Sequence, residues 1–174
     1  MKYVLSFILV ILSFTVSAKE INIANTGVSF VSPDEFKPIP QTIIDYKWPQ
    51  KNAPKWVVGN ETASTTIAYD LKSSDISAVS LSDLMSYFKK TFERVVPGLE
   101  WKKREIIDLS NKKWLYLEMT SNAVDTDIYN IMLLTSYGKK MLIFNFNSTK
   151  EDFTKYESKL RKSIQTIQLP QISQ

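Results

Sequence analysis

Between Leu99 and Ser148 the chain passes through four stretches, "LEWKKREIIDLS", "KKWLYLEMTS", "DIYNIMLLTS" and "KMLIFNFNS", each rich in strand-forming residues and each followed by a short polar turn. Nothing else in the sequence restricts the fold as much. Parallel neighbours need a crossover of a dozen or more residues, so runs this closely spaced must form an antiparallel meander. Ser110-Asn111-Lys112 and Tyr137-Gly138-Lys139 have the composition of hairpin tips. Alternation along the second run puts Trp114, Tyr116, Glu118 and Thr120 on one face and Leu115, Leu117 and Met119 on the other.

Two amphipathic helices flank the meander. In "SLSDLMSYFKKTFERVVPG", Ser80 followed by Asp83 predicts a capped start, Leu81, Leu84, Met85, Phe88, Phe92 and Val95 recur at helical spacing, and Pro97-Gly98 ends the run. In "NSTKEDFTKYESKLRKSIQTIQLP", Ser148 or Thr149 is the cap, Glu151 and Asp152 are acidic residues in the first turn, and Phe153, Tyr156, Leu160, Ile164 and Ile167 share one face. Each apolar stripe needs a sheet to lie against. Phe88, Phe92, Tyr156, Leu160 and Ile164 are therefore expected to be largely buried. Earlier in the chain, "INIANTGVSFVSP" reads as two short strands about Asn25-Thr26-Gly27, and "ETASTTIAYDLKS" as a further strand. The fold class is thus α+β, an antiparallel sheet with helices packed on its faces.

The first residues bear on compartment. Lys2, an apolar run from Tyr3 to Phe14 and the small-residue ending Val16-Ser17-Ala18 have the order of a secretory signal peptide, residues 1–18. As a transmembrane anchor the run falls short of the ~20 residues a spanning helix needs. A single domain over residues 19–170 and a tail at 171–174 follow. The expected location is the periplasm or the extracellular space. With no cysteine in the chain, neither a disulfide nor a lipid-modified cysteine is available, so the core alone must hold the fold.

Composition narrows the chemistry. The absence of histidine removes the usual neutral-pH general base and the commonest transition-metal ligand, and the absence of cysteine removes a thiol nucleophile. Four glycines and no GxGxxG or GxxxxGK[ST] leave nucleotide cradling unsupported. No catalytic residue, metal site or cofactor is expected. The net charge of +4 comes from basic pairs scattered over different elements, which argues against a nucleic-acid surface.

Three polar constellations are better read as structure than as chemistry. Asp125-Thr126-Asp127 lacks the later ligands of a calcium loop, so a strand connection fits it better. Asp34-Glu35 after Pro33 is turn chemistry. Ser110 with Lys112 and Lys113 sits on a hairpin tip.

The segment "KWPQKNAPKW", Lys47 to Trp56, stands apart. Pro49 and Pro54 prevent this stretch from extending a central sheet, so the chain from Ile43 to Trp56 is expected to be a surface excursion. Trp56 opens an apolar "WVV" run and reads as a cover over the sheet. Trp48 is either a second cover or an exposed aromatic anchor rimmed by Lys47, Lys51 and Lys55, a composition typical of protein interfaces. Those four residues are the candidate partner-binding set.

The opening "TGVSFVSPDEF", a strand ending in proline with an acidic and aromatic turn, precedes strands, a capped helix, a four-strand meander and a terminal helix. In that order of elements the chain resembles the PsbP-like superfamily, which includes the photosystem extrinsic subunit, a Ran-binding nuclear import factor and the bacterial DcrB and EagR proteins. The resemblance implies a PsbP-like α/β/α sandwich over nearly the whole mature chain, and a role in binding proteins rather than in catalysis. It transfers no functional residue. The resulting expectation is an exported, non-enzymatic protein-binding domain, most concretely an immunity or adaptor protein for a partner such as a secreted toxin. The alternatives are a carrier or sensor of a small anionic or amphipathic ligand and, third, a carboxylate-dependent enzyme.

Overall fold

The computed structural model describes residues 19–23, 25–49, 53–123 and 126–170. The expected leader at 1–18 and tail at 171–174 lie outside them. Strands β1 (Lys19–Asn22) and β2 (Ser29–Ser32) pair as a separate antiparallel ribbon. The turn between them sets Asn25 and Gly27 at positive φ, as its composition predicts. A two-residue strand β3 (Lys37–Pro38) and a short helix α1 (Gln41–Lys47) follow, then β4 (Trp56–Gly59), β5 (Thr65–Lys72) and helix α2 (Leu81–Val95). The meander is β6 (Glu100–Leu109), β7 (Lys112–Asn122), β8 (Asp127–Tyr137) and β9 (Lys140–Thr149), and helix α3 (Lys150–Gln165) follows it directly.

All pairings are antiparallel, and β3 to β9 form one seven-stranded sheet in the order β3-β4-β5-β9-β8-β7-β6. The four meander strands are sequential neighbours, and β9 turns outward from them to meet β5, which joins the early strands to the late ones. At the β6–β7 tip Ser110 and Asn111 both have positive φ, the requirement of the primed hairpin turn. Both helix caps are where the sequence puts them. Ser80 Oγ accepts from Asp83 N at 3.0 Å, and Thr149 Oγ1 accepts from Asp152 N at 3.2 Å.

Alternation divides the sheet into two cores. On one face α3 packs Phe153, Tyr156, Leu160 and Ile164 against Ile67, Tyr69, Trp114, Ile131, Leu133, Phe144 and Phe146, and Val28 and Phe30 from the ribbon close the end. Trp114 is fully buried and satisfies its indole by donating to Leu109 O at 3.0 Å. On the other face α2 covers Leu115, Leu117, Met119 and Leu134, while α1 makes a smaller cluster of Ile44, Val57 and Ala68. Helices therefore lie on both faces, completing the α/β/α arrangement.

Two expectations need correction. Residues 41–47 form a helix where a surface excursion was expected, because Pro40 and Gln41 start it and Ile44 anchors it on Val57 and Ala68. Phe88 and Phe92 are half-buried rather than largely buried. Alpha2 lies near the sheet margin, where Phe92 stacks on Trp101 of the edge strand with ring centroids 6.2 Å apart.

Candidate functional site

The two helices of the second face do not meet. Alpha1 sits over β4 and β5 and α2 over β6 and β7, so a lane of sheet surface lies between them. Its floor is made of the alternate residues of the central strands: Ala68, Asp70 and Lys72 on β5, Met141, Ile143, Asn145 and Asn147 on β9, and Asn130 and Met132 on β8. These same strands turn their apolar residues toward α3. The lane is thus the less apolar side of a sheet whose other side is fully used.

At the α1 end the lane deepens into a cavity of ≈ 140 Å³ lined by Trp48, Pro54, Ala68, Asp70, Met132, Ile143 and Asn145, among others. Alpha1 positions the wall. Trp48 N closes the helix by donating to Ile44 O at 2.8 Å, and its half-buried indole packs with Ile44, Val57 and Ala68. Across the cavity Lys72 ties the chain after the loop to the floor. Its ammonium lies 2.5 Å from Asp70 Oδ2 and donates to Ala53 O at 3.3 Å.

The floor carries polar atoms with no counterpart. Among the described residues, the buried side-chain atoms without a hydrogen-bond partner are Asn145 Oδ1 and Thr66 Oγ1, and both residues belong to this face of the sheet. Asn147, beside them on β9, is satisfied by donating to Asn130 Oδ1 at 2.7 Å. Burying a hydrogen-bonding group without a partner costs on the order of 1 to 3 kcal/mol, so two on one face mark it off from the rest of the interior.

The structure separates the predicted binding residues. Lys47 is beside Trp48, its Nζ 5.7 Å from the indole centroid, and donates to Ala63 O; burial lowers its pKa. Trp56 belongs to the opposite face, stacked on Tyr69 with centroids 5.8 Å apart, and Lys55 Nζ lies 4.5 Å over the Trp56 ring. Lys51 lies outside the described residues. Trp48 and Trp56 therefore lie on opposite faces of the sheet. Sequence reasoning missed Asn145, Met132 and Ile143. A signal for them exists in "LIFNFN", where asparagine takes two alternate places, 145 and 147, in a central strand.

The other polar constellations are tied into the framework. Pro33 O accepts from Phe36 N at 2.9 Å in a turn, and Glu35 there pairs with Lys159. Asp127 pairs with Lys150 at 2.9 Å, and Asp125 lies outside the described residues. Lys113 pairs with Asp108, and Ser110 Oγ accepts from Leu169 N at 2.8 Å. On the α3 face Glu118 is buried among donors: Arg161 Nη2 at 2.7 Å, Tyr116 Oη at 2.5 Å and Tyr129 Oη. Burial raises the Glu118 pKa, but the bonds from Arg161, Tyr116 and Tyr129 outweigh it and hold the carboxyl below its ordinary value. Burial and the neighbouring carboxylate push both tyrosines up. A carboxylate held below its ordinary pKa by three donors is a structural clamp.

No family model matches the sequence, and no curated protein does. Solved structures do match. Cyanobacterial PsbP (CyanoP) from Synechocystis sp. PCC 6803 superposes with a TM-score of 0.63 at 12% identity, over 88% of this chain and 93% of that one. The fold is PsbP-like. LpqN of Mycobacterium tuberculosis, described as involved in cell envelope biogenesis, shares it with a TM-score of 0.57 at 9% identity, over 87% of this chain and 91% of that one. PA94 of Pseudomonas aeruginosa, a protein of unknown function, matches with a TM-score of 0.55 at 13% identity, over 90% and 99%. At such identities the likeness is one of PsbP-like architecture, and the lane must be read from its own residues.

Proposed function

We propose that this chain is an exported, non-catalytic binding domain of the periplasm or extracellular space, and that a protein partner docks along the lane between α1 and α2 with Trp48 as its aromatic contact. The half-buried Trp48 at the wall of the open cavity carries this reading. Met132 lines the cavity, Met85 and Met141 are partly buried in the α2 cluster on the same face, and methionine-rich surfaces adapt to the shape of a partner. An immunity or adaptor role toward a secreted toxin is the most concrete form. The leader-like order of residues 1–18 supports an extracytoplasmic setting, as does the envelope role described for LpqN. Lys47 lies beside Trp48, and the charges of Lys51 and Lys55 would steer approach rather than hold the complex.

A carrier of a small amphipathic ligand is the second reading, favoured by the ≈ 140 Å³ cavity. Site-specific photocrosslinking separates the two. A benzophenone side chain at position 48 or 132, in cells of the native organism, is expected to capture one protein, and the same group at Lys155 on α3 to capture none. Crosslinks from position 155 alone, or from no position, would rule out the lane as a protein-docking surface.

A further inference from the structure

The two edges of the seven-stranded sheet are unlike. Strand β3 offers two residues, one of them Pro38, whereas β6 runs ten residues without a proline. Leu109 and Lys112 flank the two-residue turn and form the hydrogen-bonded pair that closes it. Bonding to β7 alternates from there, so Asp108, Ile106 and Arg104 direct their N–H and C=O groups away from the sheet. The carbonyl of Lys113, opposite Asp108, agrees with this count, because it turns from β6 and accepts from Thr135 Oγ1 at 2.9 Å. An irregularity between Trp101 and Lys103 ends the regular edge.

This edge is complementary to itself. Ile106 is 39% exposed, and the Asp108 carboxylate is held only by a solvent-exposed bridge to Lys113. Arg104 lies over the Trp101 ring, 5.2 Å from its centroid, and has no salt bridge among the described residues. When two copies of β6 meet antiparallel about a two-fold axis, an axis at Ile106 opposes Ile106 to itself and Arg104 of each copy to Asp108 of the other. An axis at Arg104 or Asp108 sets like charges opposite each other, which is unfavourable. An axis at Glu105 or Ile107 leaves one of the three outward residues facing the irregularity or the turn. The Ile106 axis alone uses all three. On the α3 face it sets Glu105 against Ile107 and Lys103 against Leu109, beside an open groove lined by Tyr116, Arg161 and Ile164.

We propose that a second copy of this chain docks on β6 in this register and joins the two sheets into one. Opposite residues of an antiparallel pair point to the same side, so the α1–α2 lanes of both copies face the same way. The proposal does not depend on what the lane binds.

Sedimentation of the exported protein should show a monomer–dimer equilibrium. Arg104→Asp or Asp108→Arg alone should raise the dimer Kd about tenfold, since each sets like charges opposite each other twice, and the double swap should restore it. The double swap carries both substitutions and so controls for folding. The chain has no cysteine, so Ile106→Cys gives a clean readout of register: mild oxidation should yield a disulfide-linked dimer, whereas Arg104→Cys should not. A monomer at NMR concentrations, a dimer indifferent to the charge reversals, or one captured through position 104 instead of 106 would overturn the proposal.

Discussion

Arg161 of α3 places Nη2 2.7 Å from Glu118 Oε1 in the middle of β7, joining helix to sheet through a carboxylate whose side chain is only 6% exposed. Glu157, one turn earlier on α3, accepts from Arg161 Nε at 2.8 Å and holds the guanidinium in place. The folded-state pKa of Glu118 lies below the ordinary 4.5, so its contribution to stability is complete above about pH 4.5 and fades as pH falls through the folded value. Glu118→Gln should cost about 2 kcal/mol at pH 7, roughly 4 to 8 °C in Tm. The gap between variant and wild type should narrow in thermal melts taken from pH 5 down to pH 3. An unchanged gap would mean that the charge of Glu118 is irrelevant to the fold.

The two aromatic stripes should differ in worth. Leu160, fully buried, should cost about 2 to 5 kcal/mol on truncation to alanine. Phe92, half-buried against Trp101, should cost less, about 1 to 2 kcal/mol, well short of the ~3 to 5 of a fully buried phenylalanine. Urea denaturation of both variants measures this, and equal losses would place α2 deeper on the sheet than described.

The caps give a smaller, cleaner effect. Ser80→Ala removes the acceptor for Asp83 N and should cost about 1 kcal/mol, with Ser80→Gly costing only a few tenths. The same urea series reads it, and an Ala variant as stable as the Gly variant would count against the cap.

Export has its own readout. Intact mass of the protein recovered from a periplasmic or culture fraction should show loss of residues 1–18. Full-length chain in the membrane fraction would exclude the leader reading.

Much of this architecture was legible because it is written in periodicity. Alternation in β7 put Trp114, Tyr116 and Glu118 together on one face, the one the structure packs on α3, and the caps at Ser80 and Thr149 bounded both long helices. Helix α1 was not legible. Seven residues with Ile44 alone buried carry no stripe, and the flanking prolines mask it as a loop. The lane was hidden for a different reason. Period two shows that Asn145 and Phe144 face opposite ways, but only the distance between α1 and α2 decides whether the asparagine face is covered. Trp56 reads as a cover from its "WVV" run while the sequence leaves Trp48 open, and that the two lie on opposite faces of the sheet is decided only by the fold.

The central claim is that Trp48 serves binding as well as cover. Its indole packs on Ile44, Val57 and Ala68, so Trp48→Ala should carry some loss of stability, about 1 to 2 kcal/mol. The deciding measurement is the Kd of wild type and Trp48→Ala for the protein captured from position 48, determined by calorimetry at a temperature where both are folded. The account predicts a Kd raised at least about tenfold, the lower bound of a genuine interface anchor. An unchanged Kd with the same loss of Tm would make Trp48 a cover alone and move the binding surface off the lane.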